Sequence, residues 1–384
     1  MSKLCISLPP FAPDYSGAAS ALFDLGGMIV IHDASGCTGN YTGFDEPRWF
    51  GSSSAVFCSG LRHMDAVLGN DDKLIRRIAE AAESLKPKFI AVLGSPVPMV
   101  IGTDFKGIAH EVEYTTGIPT IGLETRGLAY YGRGIYEATV EMLKRFAKDK
   151  LDTVQGTVNL LGVTPLDFYI NSNSQDFIQL FESNGIRVLS CYHIGQNIDD
   201  IKNSVAASLN VAVSQAGVQV AEYMKSKYGI PYVAGTPLGD GQAVLQAVRN
   251  ALNGEEINNV PNSKEADILI AGEQIISNSI RDYLQRYRGL GPIAVAGLFD
   301  ISYKYLAEGD IAVKNETQLR EMLNSGKYRT IVGDPMLKSL IKSENMKKIN
   351  FYSLPHVALS SKVHWDEYKR FISPEMEEWL SSIN

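Results

Sequence analysis

A chain of 384 residues has room for two or three domains with separate cores. Its 43 acidic against 36 basic side chains give a formal net charge of −7, which argues against nucleic acid as the main partner, because phosphate binding needs clustered Lys and Arg. Composition is that of a soluble globular protein, with 45% hydrophobic and 21% charged residues. No apolar run approaches the roughly 20 residues of a membrane span, and Met1-Ser2-Lys3-Leu4-Cys5 lacks the features of a signal peptide, so a cytoplasmic protein with reduced thiols is expected.

In chain order, a strand-like run, Gly27–Ile31, ends in His32-Asp33-Ala34-Ser35-Gly36-Cys37. Cys58 follows in a Gly- and Ser-rich stretch read as a loop. A helix is predicted over Asp71–Leu85, opened by acids that suit its dipole and closed by Lys86-Pro87. A strand at Phe89–Leu93 and a helix at Gly134–Ala147 complete a first unit, and polar residues 148–155 read as a boundary. The second unit runs through a strand at Thr157–Gly162, a helix at Ser174–Asn184, strands at Ile186–Cys191 and Asn210–Val213, and helices at Ser214–Lys227 and Asp240–Leu252. Residues Asn253–Glu265 read as a linker. The third unit alternates strands at Asp267–Ala271, Pro292–Gly297 and Thr330–Val332 with helices at Glu273–Tyr287 and Glu316–Ser325, and ends in a helix from Pro374 to about Ser381. Such alternation predicts α/β architecture with parallel sheets, divided at 1–150, 155–255 and 265–384.

The chemistry-bearing residues are few. Only four cysteines occur, and thiolates on turns flanked by small residues are a usual way to hold an iron–sulfur cluster. Cys37 and Cys58 give two of the four ligands that a [4Fe–4S] cluster needs, and a symmetric dimer would give four. Each has a plainer reading as a small buried thiol. Cys191 ends a strand, with Tyr192 and His193 beside it, where α/β layers commonly bind ligands; a core cysteine is the alternative. His32 can orient the Cys37 loop or simply cap backbone. Arg62 and His63 can present charge to a substrate or partner, or open a solvated helix. His356 is a further, weaker site candidate. Tyr130, Tyr131 and Arg133 can line a pocket for a planar anion, or merely connect to the next helix. No G-x-x-x-x-G-K-[ST] is present, so no nucleotide is expected on this chain, and H-E-x-x-H, G-x-S-x-G and C-x-x-C are also missing.

Six ordered segments together resemble the component 1 subunits of nitrogenase and its relatives, which include dark-operative protochlorophyllide reductase, chlorophyllide reductase and nickel-sirohydrochlorin reductive cyclase. His32–Cys37 is similar to H-G-P-x-G-C, Met64–Asp71 to K-D-x-V-F-G-G, and Gly94–Asp104 to C-P-x-x-x-I-G-D-D. Ser208–Val211 resembles K-L-N-V, Lys227–Tyr232 resembles R-Y-G-I-P, and Gly333-Asp334-Pro335 resembles a late G-D-P. The resemblance implies three Rossmann-like parallel-sheet domains, and a cluster ligand at Cys37. It also implies a separate P-loop iron–sulfur ATPase as partner and a small-molecule substrate reduced in a cleft between the three units; the ligand count points to a homodimer or to pairing with a paralogous chain. The chain departs from the pattern at three places. Cys5 lies several residues before the expected N-terminal ligand position, which falls near Pro10 or Phe11. Ser95 stands where the third motif has a cysteine, either as an oxygen ligand or as a turn residue. Ser214 stands where nitrogenase holds its molybdenum cofactor, so that cofactor is not expected. The alternative role is a non-enzymatic scaffold for metal-cluster assembly.

Overall fold

The computed structural model describes residues 6–52, 54–147, 149–169, 173–255 and 265–384. Thirteen strands form three sheets among these residues. The first contains β1 (Met28–Ile31), β2 (Ala55–Cys58), β3 (Ile90–Leu93) and β4 (Thr120–Leu123) in the order β2-β1-β3-β4. The second contains β5 (Val154–Leu161), β6 (Arg187–Cys191), β7 (Ala207–Ala212) and β8 (Tyr232–Ala234), ordered β6-β5-β7-β8. The third contains β9 (Ile268–Gly272), β10 (Ile293–Gly297), β11 (Ile311–Ala312), β12 (Thr330–Gly333) and β13 (Asn350–Ser353), ordered β11-β10-β9-β12-β13. Every pairing is parallel. Parallel neighbours need crossovers, which helices supply, and strands covered on both faces read as continuous apolar runs, as Met28–Ile31 and Ile90–Leu93 do.

In each sheet the strand order reverses once beside the first strand: between β1 and β3, between β5 and β7, and between β9 and β12. At such a point the connections leave in opposite directions and open a crevice at the carboxyl ends. These crevices position both thiols and the buried acids that follow β5, β9 and β12.

The predicted helix Asp71–Leu85 is present with those bounds, capped by Asn70, whose side chain accepts from Lys73 N at 3.3 Å. Other predicted elements agree within a few residues at each end, and the helix expected from Gly134 begins at Tyr131. Elements not anticipated include the helices Asp14–Leu22 and Phe105–Thr116 and the strands β2, β4, β8, β11 and β13. Cys58 is therefore the last residue of a strand rather than a loop residue. Helix Asp14–Leu22 lies against helix Tyr131–Phe146 at backbone distance, because a Cβ on Gly17 would collide with the Tyr131 carbonyl and one on Gly134 with the Asp14 carbonyl. Cys5 and most of the expected linker, residues 256–264, lie outside the described residues. No helix among the described residues is long and apolar enough to cross a membrane.

Candidate functional site

β1 and β2 run side by side with Ile31 opposite Cys58, so the connections that follow them start together. After β1 the chain turns through Ser35 at φ 125°, a left-handed conformation uncommon for a side-chain-bearing residue, and enters the short helix Gly36–Asn40, with Cys37 in its first turn. Asp33 fixes this turn: its carboxylate accepts from Ser35 N at 2.9 Å and from Thr38 N at 3.1 Å. The same residue fixes the neighbouring connection, since its carbonyl accepts from Cys58 Sγ at 3.3 Å, from Ser59 Oγ at 3.2 Å and from Leu61 N at 2.8 Å. One aspartate thus ties the Cys37 and Cys58 segments together. Both thiols are half-buried and unbridged.

Burial pushes the Cys37 thiol up and the Asp33 carboxylate adds to this, while the Tyr15 and Ser95 hydroxyls act in the other direction. Near neutral pH Cys37 is a thiol that needs a cation to become a thiolate, which a bound metal supplies. Ser95 is fully buried at the start of the helix Pro96–Val100, and its hydroxyl donates to the His32 carbonyl at 2.8 Å. That fits the turn reading. His32 places Nδ1 2.8 Å from Ser59 Oγ, and burial holds its pKa below the usual value. His32 is thus a bracing residue of the same two connections. Arg62 and His63 sit exposed at the start of helix His63–Leu68.

Among the described residues no group of three or more His, Cys, Asp or Glu is placed to hold a metal ion. A cluster with four ligands fits this chain only if a second chain adds two more. Met64, Val67, Leu68, Val97, Val100 and Ile101 are large apolar residues in the connections that leave β2 and β3, all exposed, with Val100 at 87%.

The second and third crevices meet the first unit at a different place. Asp167, in the short helix Pro165–Phe168 after β5, accepts from Tyr131 Oη at 2.5 Å and lies 3.0 Å from His356 Nε2 through the same oxygen. Its other oxygen and His356 Nδ1 are buried with no partner among the described residues. Glu273 follows β9 and Asp334 follows β12, on either side of the third crevice. Glu273 accepts from Gln215 N and Ile276 N at 2.7 and 2.8 Å, and Asp334 from His356 N at 2.8 Å. Burial, aided by the neighbouring Asp167 carboxylate, pushes Glu273 up to about 7. The cavity lined by Asp167, Glu273, Asp334, His356 and Phe299 measures about 20 Å³, room for one water. Ser214 is fully buried beside it, with its hydroxyl on the Gly162 carbonyl at 2.8 Å. Neither Ser214 nor a space of this size fits a metal cofactor.

Several expected groupings are not formed. Tyr131 turns inward to Asp167, Tyr130 stacks edge-on against Phe299, and Arg133 pairs with Glu137 at 2.6 Å on the surface, so the three do not share a pocket. Cys191 is buried and pushed up to about 12. His193 is also buried, and burial followed by the Arg48 charge lowers it to about 3; its Nε2 lies 3.0 Å from Thr139 Oγ1, and its carbonyl accepts from Arg48 at 2.8 Å. Reading the sequence missed Asp33, Asp167 and Glu273, although Gly272-Glu273 and Gly333-Asp334 repeat one pattern, an acid directly after a third-sheet strand.

A family model described as Nitrogenase component 1 type Oxidoreductase matches residues 13–306. The chain belongs to this family. The nitrogenase iron-molybdenum cofactor biosynthesis protein NifE of Clostridium pasteurianum is 28% identical over 281 residues, 70% of this chain and 59% of that protein. A light-independent protochlorophyllide reductase chain of Pelodictyon phaeoclathratiforme is 27% identical over 208 residues, 53% of this chain and 37% of that protein. The matches thus span less than two thirds of these relatives. A solved chain titled Nitrogenase Cp1 at pH 6.5 superposes with a TM-score of 0.71 at 13% identity, covering 99% of this chain and 93% of its own, which establishes the component 1 fold.

Proposed function

We propose that this chain is the electron-accepting component of a two-component, nitrogenase-like reductase. Two copies would share one [4Fe–4S] cluster through Cys37 and Cys58, and a separate P-loop iron–sulfur ATPase would deliver electrons to it. The observation that carries this reading is the pair of half-buried thiols on the adjoining connections at the ends of β1 and β2, both tied by Asp33, with no group of three or more His, Cys, Asp or Glu placed to hold a metal ion among the described residues. When bound, the cluster supplies one-electron reduction at low potential. Asp33 holds both ligand segments in register, and Ser59, His32 and Ser95 brace them from behind. At the junction of the three units, the buried Glu273 carboxyl, held near 7, can take up or release a proton at neutral pH.

The test is anaerobic mixing with a P-loop iron–sulfur ATPase, following the cluster by electron paramagnetic resonance. Reduction with ATP but not with ADP is expected. Equal reduction with both, or none, contradicts the assignment. Similarity to NifE supports a second reading, a scaffold for metal-cluster assembly. A scaffold would pass its iron–sulfur unit to an apo-acceptor protein, whereas the reductase component keeps its cluster through turnover.

A further inference from the structure

A cleft of about 500 Å³ lies between the second and third sheets, well within the range of small-molecule sites. One wall is β8, the edge strand of the second sheet, together with helix Gln242–Leu252. The other is helix Gln274–Arg288 with the turn Tyr303–Tyr305. It shares no residue with the cysteine segments or with the Asp167 junction.

Its charges are arranged unevenly. Arg281 is paired with Asp310 at 2.7 Å and Arg286 with Asp282 at 2.6 Å. Lys225, from helix Gln215–Tyr228, and Lys304, from the third unit, instead converge on one ring. Their Nζ atoms lie 5.9 and 4.9 Å from the Tyr232 centroid, and Lys304 also lies 5.3 Å from that of Tyr305. Neither ammonium has a carboxylate partner among the described residues. Glu222 accepts from the Tyr232 hydroxyl at 3.2 Å, and Asp240 accepts from Gln242 N at 3.0 Å. Tyr283 and Tyr287 line the opposite wall, with centroids 5.0 Å apart.

We propose that this cleft binds a planar, conjugated small molecule bearing a carboxylate or phosphate. Lys225 and Lys304 hold the anionic group, and Tyr232 and Tyr305 flank the ring. Because the two lysines come from different units, the bound molecule bridges the second and third sheets. The proposal stands independently of the cluster reading.

Pyridoxal 5′-phosphate is a suitable probe for the full-length protein. Its aldehyde condenses with a lysine amine with loss of water, and borohydride then delivers hydride to the C=N carbon, leaving a stable secondary amine that peptide mapping locates. Labelling is expected to concentrate on Lys225 and Lys304, about tenfold above that by pyridoxal, which has no phosphate. Excess benzene-1,2-dicarboxylate should suppress it. Lys304→Met and Tyr232→Leu should each reduce labelling at Lys225 by about tenfold, whereas Lys304→Arg and Tyr232→Phe should preserve it. Labelling spread evenly over exposed lysines, or indifferent to Tyr232→Leu and to the competitor, overturns the proposal. So does a Lys304→Met protein that melts earlier yet labels at Lys225 as before, since the lysine is then only a cation–π brace between units.

Discussion

Cys37 and Cys58 can be approached from solvent, whereas Cys191 is sealed in the core with its thiol pushed up to about 12. Cys37→Ala and Cys58→Ala should each abolish cluster binding, and Cys191→Ala should leave the iron content unchanged, as measured on anaerobically purified protein. Retained iron in Cys58→Ala would transfer the ligand role to another residue. A different residue anchors the start of the chain: the Glu316 carboxylate accepts from Ile6 N, Ser7 N and Leu8 N at 2.7–3.1 Å. Despite burial these bonds hold it down to about 2, so its contribution is present above the ordinary carboxylate range and fades as pH falls toward 2. Glu316→Ala should cost about 1–3 kcal/mol in denaturant unfolding and speed proteolysis near residue 8; unchanged stability would show that the clamp contributes nothing. Cys37 was legible in the sequence because its neighbours form a local motif. Asp167 was not, because its partners Tyr131 and His356 lie 36 and 189 residues away and only folding brings them together.

At the scale of elements, the crossing of helices Asp14–Leu22 and Tyr131–Phe146 sets both sites, since one carries Tyr15 toward Cys37 and the other carries Tyr131 to Asp167. Gly17 and Gly134 allow the close approach. Gly134→Ala should destabilise the fold by about 1–3 kcal/mol through overpacking and lower cluster occupancy too, whereas alanine at the exposed Gly36, which meets nothing within 4 Å, should do neither. A neutral Gly134→Ala would contradict this crossing. Helix Asp71–Leu85 was readable because it buries one stripe, Leu74, Ile78 and Ala82, and caps itself with Asn70. Helix Asp14–Leu22 was not, because all nine residues are buried and no polar face marks its period. Strand β2 escaped notice because four residues between serines, with Phe57 exposed, carry too little alternation to read.

Across the whole molecule, three sheets present their crevices to two sites, thiols at the first and a shared carboxyl–histidine centre at the second and third. The buried acids make stability depend on pH. Burial pushes Asp45 and Glu273 up to about 7, so the folded state keeps protons that the unfolded chain has lost, and stability falls as pH rises from the ordinary carboxylate range through 7. Buried His193, lowered to about 3, acts oppositely below its ordinary value of 6.5, because only the unfolded chain then takes up its proton. Relative to wild type, the melting temperatures of Asp45→Asn and of Glu273→Gln should therefore each rise by roughly 1–2 °C between pH 6 and pH 8; parallel curves would refute the shifts. The three-layer architecture was legible in the alternation of strands and helices, but the pairing of chains was only an inference from ligand arithmetic. Native mass spectrometry with iron and sulfide analysis on anaerobically purified protein tests that inference most directly. A homodimer with about four irons is the result expected; an iron-free monomer after reconstitution, or a dimer with two clusters, contradicts a cluster shared between two copies.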